Sequence, residues 1–205
     1  MRFLATEANP SANWKSPIFL LLFLVFLPRV ALSATIWTVG YSAMNQDNAI
    51  IALSAVDGQH AWAVGYESQG SQTTAVGLAT ADGVSFGNFT LPSVGGSQFE
   101  MTIFTALDFG DTQTGWLFGS KVGLQGETHY LWKSENSGMS WNEVFQPTEG
   151  LKELQAFSGG ELFAVGGETL LYTLDGEQIQ EVNVPAPAGT TLQRLFMFNP
   201  DCGFV

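Results

Sequence analysis

The chain has 205 residues and a formal net charge of −12, with 45% hydrophobic and only 13% charged residues. This hydrophobic content argues against intrinsic disorder, and an acidic surface repels phosphate backbones, so nucleic acid is excluded as a partner. The low charge, the 23 glycines and the many phenylalanines and tryptophans favour a strand-rich protein with tight turns.

The N-terminal segment has the pattern of a secretory signal peptide. Arg2 and Lys15 precede an apolar run at 18–27, which is about half the length needed to span a bilayer, and small residues follow it. We expect residues 1–34 to be removed, leaving a mature chain, 35–205, that is secreted, periplasmic or at the cell surface and does not span the membrane. An uncleaved anchor is the alternative. Cleavage would leave four basic residues: Lys121, Lys133, Lys152 and Arg194.

A short motif recurs along the rest of the chain: an aromatic residue, two apolar residues and a glycine, each time after a polar turn. The copies lead with Trp62, Trp116 and Phe163, and a fourth begins at Phe204, so the spacings are 54, 47 and 41 residues. This period is typical of β-propeller blades. The sequence therefore predicts an incomplete propeller domain at 35–205, with repeats near 45–92, 98–147 and 151–185 and a truncated repeat from about 190.

Each repeat contains four short strand-like segments, and no segment after the signal region keeps a helical apolar period over three turns. The predicted fold class is all-β: a partial β-propeller of about three four-stranded antiparallel blades plus the start of a fourth. A β-sandwich is the alternative, but sandwiches do not usually repeat two motifs in phase. Because three blades cannot close a ring, the pattern also predicts a fragment, with further blades following Val205.

The clearest corner sequence follows the second motif and reads S-x-N-x-G-x-S-W. An asparagine can bond its own backbone, a glycine allows positive φ, and serine hydroxyls can bind the amides of the turn. The tryptophan is expected to start an outgoing strand and to bury its ring. The residues are Ser134, Asn136, Gly138, Ser140 and Trp141, and shorter copies lie at 80–83 and 173–176.

These five residues resemble an Asp-box, S/T-x-D-x-G-x-S/T-W, also called the BNR repeat, with Asn136 in place of the usual aspartate. The G-W-x-x-G element at 115–119 is similar to the inner-strand signature of photosystem II stability/assembly-factor-like propellers. The resemblance covers about residues 45–205 and implies a propeller fold. It does not imply one activity, because Asp-boxes are structural in sialidases, other glycosidases, sortilin-type receptors and assembly factors alike.

Two enzymatic hypotheses follow from the resemblance. A sialidase holds its substrate carboxylate with three arginines, and Arg194 is the only arginine after residue 34. Other glycosidases need two carboxylates at a suitable separation, for which Asp108 with Asp111, or Asp57 with Asp82, are candidates. Local turn bonding is the favoured interpretation for the aspartates at turn positions: Asp57, Asp82, Asp111 and Asp175.

Metal and modification signals are few. His60 and His129 lie in different repeats without a metal-ligand spacing, so we predict no metal, no cofactor and no catalytic residue. Asn88 begins an N-x-T sequon and is a candidate glycosylation site in a host that glycosylates exported proteins. Cys202 is the single cysteine, and in an exported protein an unpaired cysteine hints at a partner cysteine beyond Val205.

Five aromatic residues are candidates for an exposed binding face: Trp37, Tyr41, Tyr66, Tyr130 and Trp132. Packing between blades is the alternative, and we favour it for each of them. The predicted function is an exported, non-catalytic binding or assembly scaffold for a protein or carbohydrate ligand. The alternatives are the N-terminal part of a secreted glycoside hydrolase and the ectodomain of a surface receptor or adhesin.

Overall fold

The computed structural model describes residues 49–69, 72–93, 101–185, 187 and 189–205, and the regular elements in these ranges are all β-strands. The predicted signal peptide, Trp37 and Tyr41 lie outside the described residues. None of the described residues belongs to a helix that is long and apolar enough to cross a membrane.

The strands form three four-stranded antiparallel sheets and one two-stranded sheet, and within each sheet the spatial order follows the chain order. The first sheet contains β1 (Ala49–Ala55), β2 (Ala61–Gln69), β3 (Gln72–Thr80) and β4 (Gly87–Phe89). The second contains β5 (Met101–Phe109), β6 (Gly115–Gly123), β7 (Gly126–Ser134) and β8 (Asn142–Phe145). The third contains β9 (Glu153–Ala156), β10 (Leu162–Gly166), β11 (Thr169–Thr173) and β12 (Gln180–Asn183), and the fourth contains β13 (Phe196–Asn199) and β14 (Cys202–Phe204).

This architecture confirms the predicted fold class, an all-β partial propeller of three four-stranded blades and the start of a fourth. The first strand of a sheet, called its inner strand below, packs against the preceding sheet: β5 contacts β1 and β2, and β9 contacts β5 and β6. Each sheet therefore lies face to face with the next, as propeller blades do.

Side chains of β6 alternate between the two faces of the second sheet, so this strand packs against both neighbouring sheets. Trp116 and Phe118 lie in one buried cluster with Leu154 of the third sheet. Leu117 points to the opposite face and lies in a cluster with Trp62 of the first sheet. Because side chains alternate between the two faces of a strand, a sheet buried on both faces needs consecutive apolar residues. This requirement explains the apolar run that follows each polar turn.

A bulge in the inner strand explains the glycine that ends each motif. Ile51 and Thr105 are the extra residues at register shifts in β1 and β5. Lys152 lies at the equivalent place before β9, where its amide donates to the carbonyl oxygen of Val165 at 2.7 Å. The bulge brings inner-strand backbone so close to the second strand that a Cβ would overlap a carbonyl oxygen at each motif glycine: Gly65, Gly119 and Gly166.

Candidate functional site

Hydrogen bonds within the turn close the corner between β7 and β8. Ser134 Oγ accepts from the amide of Gly138 at 2.9 Å and donates to Asn136 Oδ1 at 3.1 Å. Asn136 Oδ1 also accepts from the amide of Ser140 at 2.9 Å. Ser137 and Gly138 both have positive φ, 60° and 83°, a conformation that glycine adopts at little cost. These four polar and glycine residues of the predicted corner therefore hold the turn in place.

The two shorter corners have the same arrangement with one residue fewer. Thr80 Oγ1 accepts from the amide of Gly83 at 3.0 Å, and Asp82 Oδ1 accepts from the amide of Ser85 at 2.7 Å. Thr173 and Asp175 repeat both bonds in the third sheet. Backbone amides, first that of Ser85, lower the pKa of Asp82 to about 2, and the pKa of Asp175 is lowered in the same way. Both carboxylates are thus held charged by the turns that they close.

The turns after the inner strands of the first two sheets use aspartate in the same way. Asp57 Oδ1 accepts from the amides of Gln59 and His60, both at 2.7 Å. Asp111 Oδ1 accepts from two amides of its own turn, also at 2.7 Å. The amide of Gln59 is the main cause of the lowered pKa of Asp57. The interpretation of all four turn aspartates as local hydrogen-bond acceptors is confirmed.

Trp141 precedes β8 and is half-buried at the boundary between the first and second sheets. Its ring lies edge-on to that of Phe109, with centroids 5.9 Å apart, and 6.1 Å from that of Phe89 in the first sheet. Trp141 therefore helps to close this boundary, although its ring is less enclosed than expected.

The described candidates for an exposed binding face are built into the boundaries between sheets. Trp132 is only 3% exposed, so its assignment as an exposed residue is wrong. Tyr130 is half-buried and stacks on Trp132 with centroids 5.5 Å apart. The Tyr66 hydroxyl accepts from the amide of Phe104 at 2.6 Å and donates to its carbonyl oxygen at 3.2 Å. Packing between blades, the favoured alternative, is confirmed for these three residues.

The remaining predicted positions do not converge on a site. His60 Nδ1 lies 2.9 Å from Asp57 Oδ2, and His129 Nδ1 lies 2.8 Å from Ser120 Oγ. Within the described ranges, no group of three or more His, Cys, Asp or Glu side chains could hold a metal ion. Asn88 is exposed on β4, at the outer edge of the first sheet.

A ladder of hydrogen bonds that the sequence analysis missed crosses the boundaries between sheets. In each sheet the inner-strand residue paired with the leading aromatic of the motif is called the ladder position: Ser54, Asp108, Gln155 and Phe196. The first three accept a hydrogen bond from a backbone amide of the next sheet. The donors are the amides of Phe109 at 2.9 Å, Ala156 at 2.7 Å and Met197 at 2.7 Å, respectively. The ladder position always lies eight residues before the leading aromatic, so the spacing marks the position, but the residue type at that position varies.

Asp108 links three sheets through its two carboxylate oxygens. Oδ1 accepts from the Ser54 hydroxyl at 2.6 Å, and Oδ2 accepts from the amide of Ala156 at 2.7 Å. Burial raises the pKa of Asp108, while the hydrogen bonds from Ser54, Ala156 and Phe109 partly oppose this rise. Because both oxygens are engaged, Asp108 is a structural link rather than a carboxylate free to react.

A groove of about 470 Å³, called the inner-strand groove below, lies along the inner strands of all four sheets. The two bulge residues Ile51 and Thr105 line it, because a bulge redirects the side chain of its extra residue, and Lys152 lines it from the equivalent place before β9. The hydroxyl of Thr105 is buried and has no hydrogen-bond partner among the described residues. The fourth sheet contributes Arg194 and Phe196.

The inner-strand groove contains two of the four basic residues that follow residue 34. Lys152 is exposed, and no acidic side chain in the described ranges pairs with it. Arg194 is 88% exposed, and its Nη1 lies 3.5 Å from Glu153 Oε1, an arrangement that binds weakly in water. Glu153 Oε2 accepts from the amide of Leu195 at 2.6 Å. The anions of the groove are thus tied to the backbone, whereas its cations project into solvent.

A second groove, of about 390 Å³, lies at the corner end of the first and second sheets. His60, Asn88, Gln113 and Met139 line it together with Trp62. Since Trp62 is buried, the largest ring of this groove offers no face on which a sugar could stack.

A search of protein-family models and of curated proteins found no match to this chain.

Proposed function

We propose that this chain is an exported, non-catalytic β-propeller scaffold whose inner-strand groove binds a protein segment with acidic and apolar side chains. The observation that carries the proposal is the placement of Lys152 and Arg194 in one groove of a chain with a net charge of −12. An acidic surface repels an acidic partner everywhere except where cations project from it.

The apolar residues of the groove favour a polypeptide over a sugar. Ile51, Leu53 and Phe196 are all exposed and line the inner-strand groove beside the cations. An exposed apolar patch with charged neighbours is typical of a site that binds another protein.

The state of the acidic residues supports a scaffold over a glycoside hydrolase. A hydrolase needs two carboxyl groups free to donate a proton and to activate water or attack the sugar. Asp108 and Glu153, which line the inner-strand groove, accept hydrogen bonds from backbone amides. Asp57, Asp82, Asp111 and Asp175 close turns. These bonds stabilise the fold and leave the carboxylates poorly placed for catalysis.

The Asp-box relationship and the export of the chain are part of the proposal. The shared bonding of the corners at 80–85, 134–140 and 173–178 supports the resemblance, because a hydroxyl and an Asp or Asn oxygen receive equivalent amides in each. The apolar run at 18–27 after a basic segment supports export.

Two labelled peptides test the proposed ligand class. They share the same leucine positions, and one carries glutamates where the other carries lysines. Fluorescence anisotropy at low ionic strength should show tighter binding of the glutamate peptide, despite the acidic net charge of the protein. Added salt should weaken this binding, because exposed charges are screened. Tighter binding of the lysine peptide would contradict the proposal.

Charge removal locates the site. Lys152→Gln and Arg194→Gln should each weaken binding of the glutamate peptide by about two- to fivefold, the range expected for one exposed ion pair. Lys121→Gln on β6 is the matched control, since it removes the same charge outside the groove. Equal weakening by all three substitutions would indicate a general charge effect and exclude the groove as the site.

A further inference from the structure

In each four-stranded sheet, the third-strand residue that pairs with the leading aromatic is called the covering position below: Ala79, Lys133 and Tyr172. In the second and third sheets its side chain lies over the aromatic ring. Lys133 Nζ is 5.6 Å from the ring centroid of Trp116, and the Tyr172 ring stacks on that of Phe163 with centroids 6.1 Å apart. In the first sheet the covering position has only the methyl group of an alanine.

Lys133 also connects the second sheet to the corner of the third. Its Nζ donates to the carbonyl oxygen of Gly176 at 3.1 Å and to Glu135 Oε1 at 2.8 Å. Only 13% of the side chain is exposed, so its stem and ammonium group fill the space between the third strand and the neighbouring corner. A lysine suits this place because its stem packs against apolar groups while its charged head binds oxygen atoms.

The equivalent place is open at the first boundary. Ala79 is too short to reach the corner of the second sheet, and the groove of about 390 Å³ at this end, called the corner groove below, is lined by Ala79 on one side and by Ser137 and Met139 of that corner. Phe89 adds a further apolar wall. The volume falls within the range of small-ligand sites, about 300–1,000 Å³. The repeat thus has a lysine side chain at one boundary and an open groove at the equivalent place of another.

The charges around the corner groove favour a cation. Asp82 and Asp111 directly adjoin lining residues in the sequence, and Asp57 Oδ2 lies 2.9 Å from Nδ1 of the lining residue His60. Hydrogen bonds from turn amides lower the pKa of Asp57 and Asp82, so both stay charged at neutral pH. The described lining contains no lysine or arginine. These charges indicate the sign of a ligand, whereas the comparison with Lys133 indicates its shape.

We propose that the corner groove binds the lysine side chain of a partner protein, in the place that Lys133 fills at the second boundary. The alkyl stem packs against Phe89 and Met139, and the ammonium group lies beside the turn aspartates. An ammonium group that stays partly in water gains little free energy, so an isolated lysine derivative should bind in the millimolar range. This inference is separate from the ligand proposed for the inner-strand groove, which has the opposite charge and different lining residues.

Nuclear magnetic resonance of the full chain tests the inference with Nα-acetyl-lysine methylamide as the probe. Asn88 and Gln113 line the corner groove, so their side-chain amide signals report binding there. Both signals should shift and saturate as the probe is added. The norleucine analogue, which has a similar stem and no charge, is the matched ligand and should give no saturable shift. Equal shifts with both compounds, or none with the lysine derivative, would overturn the inference.

Two lysine substitutions separate occupation of the corner groove from a general effect of charge. Ala79→Lys places a tethered ammonium group at the covering position, so it should abolish saturable binding of the probe. Val84→Lys adds the same charge at an exposed position that does not line the groove, and should weaken binding by about twofold or less. Equal weakening by both substitutions would exclude the groove as the site.

Lys133→Ala provides the reciprocal test at the second boundary. Loss of the stem and the ammonium group opens the equivalent place, so the probe should bind there as well and shift the backbone amide signal of Gly176. The probe should then raise the midpoint of thermal unfolding more for Lys133→Ala than for the wild type, since a ligand stabilises the state that it binds. A Gly176 signal that does not respond would contradict the equivalence of the two places. Lys152→Gln should leave probe binding unchanged, which distinguishes this site from the inner-strand groove.

Discussion

The first two boundaries between sheets are closed by different side chains on the same backbone repeat. Between the first and second sheets, Phe109 stacks on Trp62 with centroids 3.8 Å apart, and Trp141 lies edge-on to Phe109. Between the second and third sheets, Trp116 packs with aliphatic side chains: Leu151, Leu154, Leu162 and Leu171. The first boundary is therefore mainly aromatic and the second mainly aliphatic.

The two indole groups also differ in their hydrogen bonding. Trp62 Nε1 donates to the carbonyl oxygen of Ser137, the extra residue of the long corner, at 2.9 Å. Trp116 Nε1 has no acceptor among the described residues. At that boundary the carbonyl oxygen of Gly176 accepts from Lys133 Nζ at 3.1 Å, and the same Nζ lies 5.6 Å from the Trp116 ring centroid. Both boundaries therefore share a buried leucine and a ladder bond. They differ in the side chains that surround the tryptophan and in the hydrogen bonding of its indole N–H.

Phe109→Ala should have the largest effect. Phe109 and Ala156 hold equivalent places, since their amides donate the ladder bonds of the first and second boundaries. The substitution therefore gives the first boundary the side chain that the second already has. Phe109 is buried against Trp62, so we expect a loss of about 3–5 kcal/mol in the free energy of unfolding. Urea denaturation measures this loss, with an unchanged slope as evidence that the unfolded state is unaltered. Phe198→Ala, at an exposed ring, is the control and should cost little. Equal losses for both variants would contradict an aromatic closure of the first boundary.

Trp141→Ala should have the next largest effect. A fully enclosed tryptophan would cost about 3–5 kcal/mol, and the half-buried position of Trp141 reduces the expected loss to about 2 kcal/mol. Ile179 holds the equivalent place before β12 and packs on the aliphatic cluster of the second boundary. A denaturation midpoint that does not move on Trp141→Ala would show that this ring contributes nothing to the closure.

A pair of Trp→Phe substitutions isolates the indole hydrogen bond. Both variants lose a similar ring volume, so the difference between their free energies of unfolding measures the contribution of the indole N–H group. Trp62→Phe removes the bond to Ser137, whereas Trp116→Phe removes a buried N–H that has no described acceptor. We expect Trp62→Phe to cost about 1 kcal/mol more in the free energy of unfolding. A larger cost at Trp116 would mean that its indole has an acceptor outside the described residues.

The corners and leading aromatics could be predicted because their chemistry is local. Ser134 and Asn136 accept hydrogen bonds from amides no more than four residues away, and the residue types that favour turns can be recognised in the sequence. The ladder could not be predicted in this way. Its bonds join residues 42 to 55 positions apart, and its members differ in type, so no single residue repeats.

The inner-strand groove could not be predicted from the sequence for a related reason. Ile51, Thr105 and Lys152 hold equivalent places in three sheets but share no chemistry, and only the fold brings them to one surface. Trp132 shows the opposite error, because a ring considered as exposed is in fact buried. Both faces of a blade are buried, so the alternation along β7 cannot tell a solvent-facing ring from one between blades.

The smallest effect concerns the ladder bond at the second boundary, which is the ionisable one of the three. Burial raises the pKa of Asp108 above its value in the unfolded chain, about 3.9. The folded state therefore binds the proton more tightly. The resulting stabilisation is fully present below the unfolded pKa and is lost as the pH rises through the folded pKa.

Asp108→Asn tests this dependence. The amide keeps an oxygen for the Ala156 amide and a donor for the Ser54 hydroxyl, but it cannot titrate. The stability of the wild type relative to Asp108→Asn should rise as the pH falls from 7 towards 4, measured by urea denaturation of both proteins. Asp82 titrates in the opposite sense, since its pKa of about 2 makes its contribution disappear as the pH falls, but it is present in both proteins and cancels. A relative stability that falls with acidification would mean that the hydrogen bonds to the charged form outweigh its burial.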